Sequence, residues 1–381
     1  MVGKWHLGDA PHALPTRHGF DEWIGVPYSN DMNWVDEPDF AELVKLSMRG
    51  NTAEQAAVYA RRGAKYADPK AEHFAAPLMF SRATNNGFVD RVEQPTDQTL
   101  LTQRATEAAV DFIQRSADEP FFLYMPYSMP HTPLFRSDAF AGRSLGGRYG
   151  DVVEEIDASV GAIHDAIEAA GVLENTLIIF TSDNGPWLFM REEGGVSGPL
   201  RDGKGTTFEG GVRVPTVFYW PGTVVPEVVS DIGSAMDLFT TVMALVGDDA
   251  ASATDALDLS PRLLGEGASP RNEMPYYRGG TLYAYRKGPW KLHFITEGAY
   301  GLPPAKQQHE TPQLYHLQRD PAERFDVAAQ NPRVVADLQA AVAAHQAAVT
   351  IARPLFDARL AAIAAQMQRQ AANPTTPNND Q

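Results

Sequence analysis

Cysteine is absent from the 381 residues of this chain. Disulfides, thiolate catalysis and cysteine-ligated zinc are therefore excluded within it. Long apolar runs are missing too, since no stretch approaches the ~20 residues of a membrane-spanning helix. Positive charge is scarce, because 32 Lys and Arg stand against 48 Asp and Glu, a formal net charge of −16. We therefore expect no membrane and no nucleic-acid partner, although a few converging cations could bind a small anion.

The chain has 44% hydrophobic and 21% charged residues, which is ordinary for a globular protein with a large core. The apolar runs 121–127, 176–182 and 215–220 are typical of strands buried on both faces. Helical patterns at 97–115 and 151–170 alternate with them. This alternation predicts an α/β fold with a mostly parallel central sheet flanked by helices.

The C-terminal part has a different pattern. From Pro275 the sequence alternates and breaks at two glycine-containing pairs, which predicts an antiparallel meander, and residues 312–317 could add a strand. Helices are predicted at 331–349 and 355–370, and the polar tail is predicted to be disordered. We therefore expect a catalytic domain at 1–265, an antiparallel sheet with a packed helix at 266–370, and a tail at 371–381.

Residues 77–95, with Asn86-Gly87 between two β-rich runs, predict a hairpin.

Polar residues follow the predicted strand 176–182 directly. Asp183 and Asn184 would lie at its carboxyl end, where ligands gather in open α/β sheets, and Gly185 would allow close approach. Two hard oxygen donors suit calcium or magnesium. Asp, Asn and Gly also form ordinary polar turns, so both interpretations stay open.

Three potential proton donors or cations precede this segment. If the N-terminal segment is extended, Lys4 and His6 point to one face and Trp5 to the other. A frayed N-terminus is equally compatible with this sequence. His131 follows the run 121–127 between Pro130 and Pro133, which restrict its backbone. A lone histidine is more often packed or solvated than catalytic.

The glycine-rich stretch 186–215 holds Lys204. Gly198, Gly203 and Lys204 match the first part of a phosphate-binding loop, but Gly205 stands where Ser or Thr should hold magnesium. Lys204 is better interpreted as a point charge for an anion. Glu209 and Arg213 could brace this stretch.

Taken in order, these segments resemble the sulfatase family of the alkaline-phosphatase-like superfamily. The matching segments are GKWHLG at 3–8, HGFDEW at 18–23, PHTP at 130–133, SDNG at 182–185 and GKGTTFEGGVRVP at 203–215. The C-terminal LYAYRKGPWKLH and LYHLQRDPAE are also similar. Each motif is weak alone, but five in sequence are a strong signal.

The resemblance implies a sulfuric ester hydrolase of the arylsulfatase or glycan sulfatase type. It implies that Lys4 and His6 contact the sulfate and the nucleophile, and that His131 contacts the bridging oxygen and helps its departure. Asp183 and Asn184 would supply half of a calcium site, and Lys204 would bind the sulfate. Fixed cations and a metal fit this chemistry, because charge develops on the sulfate and leaving oxygens.

One departure from the family pattern concerns the nucleophile. Family members carry, upstream of GKWHLG, two acidic metal ligands and a Cys- or Ser-x-Pro-x-Arg motif that becomes formylglycine. We expect no precursor here, since cysteine is absent and Ser260-Pro261-Arg262 and Ser269-Pro270-Arg271 have the wrong spacing. We therefore expect an N-terminally truncated sulfatase, inactive alone, with one exposed sheet flank.

Two other functions stay open at this point: an inactive fragment or pseudoenzyme, and a phosphodiester or phosphonate hydrolase of the same superfamily. The expected partner is a sulfated small molecule or glycan. The sequence shows no signal peptide, although the family implies a periplasmic or secreted protein. It does not specify the sulfate ester or the oligomeric state.

Overall fold

A computed structural model describes residues 1–38, 40–248 and 254–350, with Ala352, Ala362, Ala365 and Arg369. The predicted helix at 355–370 falls almost wholly outside the described residues, and the predicted tail at 371–381 wholly so. The chain forms two compact units. The first comprises Met1–Ile179, Trp187–Gly195 and Val217–Thr223, and the second comprises Phe180–Pro186, Val196–Thr216 and Val224–Gln381.

The first half of the chain contains both strands and helices. They are β1 (Glu22–Gly25), α1 (Phe40–Met48), α2 (Thr52–Ala67), β2 (Leu78–Thr84), β3 (Gly87–Glu93), α3 (Leu101–Ser116), α4 (Gly147–Ala169) and β4 (Ile178–Thr181). Strands β1, β2 and β3 form an antiparallel sheet in that order. The predicted hairpin is confirmed, but its turn residues are Asn85 and Asn86, because Thr84 already pairs with Gly87.

Helices α3 and α4 pack together through small and branched side chains. Ile113 of α3 and Ile167 of α4 are buried in one apolar cluster, and the Thr106 and Ser159 hydroxyls lie 2.5 Å apart beside it. The apolar positions of α3 recur every three to four residues, so they form one face of the helix. The helices were predicted from this spacing, and both are confirmed.

The second half of the chain supplies the remaining elements. They are α5 (Glu209–Val212), β5 (Thr216–Tyr219), α6 (Asp237–Leu245), α7 (Ser260–Leu263), β6 (Glu273–Arg278), β7 (Thr281–Lys287), β8 (Trp290–Thr296), β9 (Gln307–His316) and α8 (Pro332–Ala348). Strands β6 to β9 form a four-stranded antiparallel sheet in sequence order. Leu292 and Leu314 of this sheet pack with Leu338 of α8. The predicted C-terminal sheet with a packed helix is confirmed.

The three predicted buried strands differ from the prediction. Residues 121–127 are not a strand, and Phe122 and Tyr124 are 66% and 47% exposed. Strands β4 and β5 pair with each other, yet Val217 is 54% exposed. The apolar runs predicted burial on both faces, but a side chain is buried only where other layers pack against it. Phe122 and Tyr124 stack on the Phe20 ring and stay partly exposed.

The protein is thus a mixed α/β fold with a C-terminal antiparallel sheet. Val2 and Ile24 form a parallel bridge, but a mostly parallel central sheet stays a prediction. Among the residues that the structure describes, none of the helices has both the length and the apolar character needed to cross a bilayer.

Candidate functional site

The first predicted site residues lie in an extended segment at residues 2–6. Its backbone amides alternate between two neighbours: Val2 and Lys4 donate to the carbonyls of Tyr124 and Pro126, and Gly3 and Trp5 donate to those of Ile24 and Val26. The Trp5 side chain packs against a buried apolar cluster. The alternation ends at His6, which has a positive φ of 59° and donates to Pro27. Lys4 is half-buried and His6 is exposed.

His131 lies in a loop fixed by buried neighbours. Met129, Thr132 and Leu134 are all at most 3% exposed, so the backbone around the imidazole is held by the core. Nδ1 of His131 lies 2.7 Å from the carbonyl oxygen of Thr132. A carbonyl only accepts, so Nδ1 carries the proton, and Nε2 is the atom suited to proton exchange. The ring lies 5.7 Å from the Trp187 ring.

The second group of predicted residues begins with the segment 182–185. Asp183 is exposed and Asn184 is half-buried. Nδ2 of Asn184 donates to the carbonyl of Gly185 at 2.9 Å, so its Oδ1 is turned away from that carbonyl. Asp183 and Asn184 are neighbours in the sequence, and a carboxylate with an amide oxygen is a donor set that suits a hard divalent cation.

Gly185 allows this segment to contact the glycine-rich loop. Its amide donates to the carbonyl of Gly211 at 3.1 Å. A Cβ at Gly185 would lie 1.8 Å from the carbonyl oxygen of Gly210, which no side chain could tolerate. The backbones of 182–185 and 210–211 are therefore in direct contact.

Lys204 lies in a tight turn beside the same segment. Its backbone amide donates to the carbonyl of Pro186 at 2.8 Å. The turn is fixed from within, because the hydroxyl of Thr206 donates to the carbonyl of Gly203 at 2.8 Å. The structure thus brings Lys204 and the Asp183–Asn184 pair onto adjoining backbone segments of the second unit. Lys4, His6 and His131 belong to the first unit, and the convergence of all six side chains stays a prediction.

The expectation that no serine has the spacing of the formylglycine motif is wrong. Residues 197–201 read SGPLR, so Ser197, Pro199 and Arg201 have the spacing Ser-x-Pro-x-Arg. The hydroxyl of Ser197 donates to the carbonyl of Leu200 at 3.0 Å, which closes a turn. The segment leads into the Lys204 turn.

A buried charged cluster beside this loop was missed from the sequence. It comprises Glu209, Lys291, His293 and Glu323, and each is 0% exposed. Lys291 and His293 occupy alternate positions of an otherwise apolar strand, and charged residues are almost never fully buried unless paired. The alternate positions of Lys291 and His293 in this strand were the sequence signal from which the cluster could have been predicted. Only Glu209 was singled out beforehand, as a brace.

The fold and these elements define an α/β protein of the alkaline-phosphatase-like superfamily. The family described as Sulfatase matches residues 1–248, and the C-terminal region of aryl-sulfatase matches residues 269–378. The chain belongs to the sulfatase family.

Individual relatives agree with this assignment. N-acetylgalactosamine-6-sulfatase of Mus musculus is 36% identical over an alignment of 356 residues that covers 85% of this chain and 61% of that protein. Arylsulfatase A of Homo sapiens is 36% identical over an alignment of 365 residues that covers 89% of this chain and 67% of that protein. The solved PsFucS1 sulfatase from Pseudoalteromonas sp. has a TM-score of 0.74 at 26% identity, covering 91% of this chain and 70% of that one. The chain thus spans 61% and 67% of these two curated relatives.

Proposed function

We propose that this chain forms most of a sulfuric ester hydrolase of the arylsulfatase or glycan sulfatase type. One observation carries the proposal: Lys204 and Asn184 lie on segments joined by backbone hydrogen bonds, in a chain that belongs to the sulfatase family. A cation and a pair of oxygen ligands beside each other suit a tetrahedral dianion held between a lysine and a metal.

Each predicted side chain has a role in this proposal. Lys204 and Lys4 bind the sulfate oxygens and balance the charge that the transition state places on them. His6 contacts the sulfate and the nucleophile. As an imidazolium with its Nδ1–H held by Thr132, His131 donates the proton on Nε2 to the bridging oxygen as the alcohol departs, which leaves the neutral ring.

Asp183 and Asn184 would hold a divalent cation, for which we propose calcium. The fit rests on the donor chemistry, because Asn184 uses its nitrogen on Gly185, which leaves its amide oxygen and the carboxylate of the preceding Asp183 as two hard oxygen donors. Two ligands are a partial set, since calcium takes about six to eight oxygens. When bound, the metal would polarise the sulfate group.

The nucleophile defines the first experiment. The family uses formylglycine, and we propose that its precursor is absent from this chain. Ser197 has the spacing of the motif, but its hydroxyl closes a turn on the carbonyl of Leu200. We expect this chain to hydrolyse an aryl sulfate far more slowly than a fusion protein in which a segment that carries Cys- or Ser-x-Pro-x-Arg is joined before Met1. Comparable rates would overturn this, and loss of turnover in Ser197→Ala would then assign the nucleophile to Ser197.

The substrate class defines the second experiment. The relatives are named as aryl and N-acetylgalactosamine-6-sulfate hydrolases, so we propose a sulfated small molecule or glycan as the substrate. Sulfate and phosphate monoesters of one phenol, and a phosphonate monoester, should be compared at equal concentration. Faster turnover of the phosphate or the phosphonate ester would replace the sulfatase proposal.

A further inference from the structure

Glu209, the first residue of α5, is held by three contacts to the C-terminal sheet and the segment that follows it. Its backbone amide donates to Oε2 of Glu323 at 2.7 Å. Its carboxylate accepts from Nζ of Lys291 at 2.9 Å and from Nη1 of Arg286 at 3.3 Å. These residues are 77 to 114 positions away in the chain, so the contacts are purely tertiary.

The positive and negative side chains of the cluster around Glu209 are paired with one another. Lys291 and Arg286 balance the carboxylates of Glu209 and Glu323. Burial alone would lower the pKa of Lys291, but Glu323 and Glu209 outweigh it and raise the pKa above its ordinary value. Burial opposes the charge of Glu323 as well, yet Lys291 and a hydrogen bond from His293 lower its pKa to about 2. Burial lowers the pKa of His293, so we take its imidazole as neutral.

The backbone of Glu323 adopts a conformation that is unfavourable unless neighbouring groups stabilise it. Its φ is 49°, in the left-handed region that a residue other than glycine seldom adopts. Nη1 of Arg201 donates to its carbonyl at 2.8 Å, and Nε2 of His293 donates to its carboxylate at 2.7 Å. Such a conformation persists where the surroundings over-determine it, and it is often found at functional sites.

The loop transmits the position of Glu209 to the candidate site residues. The amide of Gly210 donates to the carbonyl of Arg201 at 2.8 Å. A Cβ at Gly210 would lie 2.2 Å from the carbonyl oxygen of Asp202, and one at Gly211 would lie 2.5 Å from that of Thr206. Backbones at such close contact cannot slide past each other, so a shift at residue 209 moves the Lys204 turn and the segment of Asn184 together.

We propose that Glu209, Lys291 and Glu323 are positioning residues that fix the location of Lys204 and the Asp183–Asn184 pair. This inference rests on the proposed function, because it assigns the cluster to a sulfate-binding loop. A buried ion pair adds little to stability compared with apolar packing of similar volume. Its benefit here is geometric, since the buried groups stay paired only while Glu209 keeps its place against Lys291 and Glu323.

The test is the affinity of the full chain for inorganic sulfate, measured by calorimetry with calcium present. We expect Lys204→Met to weaken sulfate binding about tenfold, as expected for the loss of one charge-assisted contact. We expect Lys291→Met and Glu209→Gln to weaken it about fivefold with Lys204 intact. Glu209→Gln keeps the backbone amide and the side-chain shape, so it reports on charge if Lys291→Met does not fold.

A matched control lies in the same unit. Arg271 and Asp237 form another buried ion pair, with Nε of Arg271 2.7 Å from Oδ2 of Asp237, and neither residue belongs to the loop. Arg271→Met should lower the melting temperature and leave sulfate affinity unchanged.

Hydrogen exchange of residues 182–186 and 200–206 gives a second readout. The exchange rate of these residues should rise in the Glu209→Gln variant. In the Arg271→Met variant it should equal that of the parent chain. If Lys204→Met weakens binding while both cluster variants keep the affinity of the parent chain, the positioning role is wrong and the proposed function stands. If Lys204→Met binds sulfate as tightly as the parent chain, both are overturned.

Discussion

Lys204 donates its backbone amide to the carbonyl of Pro186 across 2.8 Å, two residues beyond Asn184. This bond joins the turn that carries the predicted sulfate-binding cation to the segment that carries the predicted metal ligands. It fixes the separation of the two backbone segments from which these side chains extend.

Gly185 should not tolerate a side chain. Because an added Cβ would lie 1.8 Å from the carbonyl oxygen of Gly210, Gly185→Ala should destabilise the fold by about 1–3 kcal/mol. Urea denaturation measures the change. Gly161→Ala is the control, because that helical glycine has nothing within 4 Å of an added Cβ, and it should gain up to about 1 kcal/mol. Equal stability of Gly185→Ala and the parent chain would contradict the close contact.

Calcium should raise the melting temperature of the parent chain, because a ligand that binds only the folded state stabilises it. Asp183→Ala should lose most of this rise. The control is Asp165→Ala, since His164, Asp165 and Glu168 form a separate group of potential ligands within 4.8 Å of one another. If the shift survives in Asp183→Ala and disappears in Asp165→Ala, calcium binds at the exposed group on α4 instead.

Stability should fall as the pH drops from about 4.5 to about 2. The pKa of Glu323 is lowered from 4.5 to about 2 in the folded protein. Within this window the unfolded chain binds a proton that the folded chain does not, so acid favours unfolding.

Glu323→Gln should reduce the slope of unfolding free energy against pH in that window. A slope remains, because a hydrogen bond from Arg104 also lowers the pKa of Glu93 to about 2. Denaturation curves at several pH values measure both slopes. An unchanged slope in Glu323→Gln would show that the carboxyl does not titrate as described.

His131 should matter most for poor leaving groups. Replacing it with Asn removes the proton donor at the bridging oxygen, so an alkyl sulfate should lose about 10² in turnover and a nitrophenyl sulfate far less. The measurement requires a polypeptide that carries the nucleophile, and His164→Asn is the control. Equal losses on both esters would assign His131 to binding or structure.

Local patterns predicted much of the fold. The hairpin of β2 and β3, helices α3 and α4, and the C-terminal sheet with α8 follow from alternation, helical spacing and glycine breaks, which act over a few residues. The turn of the hairpin lies one residue earlier than predicted, since Asn85 and Asn86 supply it. The burial of 121–127 and 215–220 was mispredicted, because burial depends on what packs against a segment.

The sequence by itself determined the chemistry available to this protein: no thiol, an acidic surface, and the Asp183–Asn184 and Lys204 segments within a recognisable family. Only the tertiary structure decided how these segments are held. Glu209 contacts Lys291 across 82 positions and Glu323 across 114, and no local pattern encodes pairings at that distance. The physical reason is that buried charges must find partners wherever the fold places them, because leaving one unpaired costs several kcal/mol.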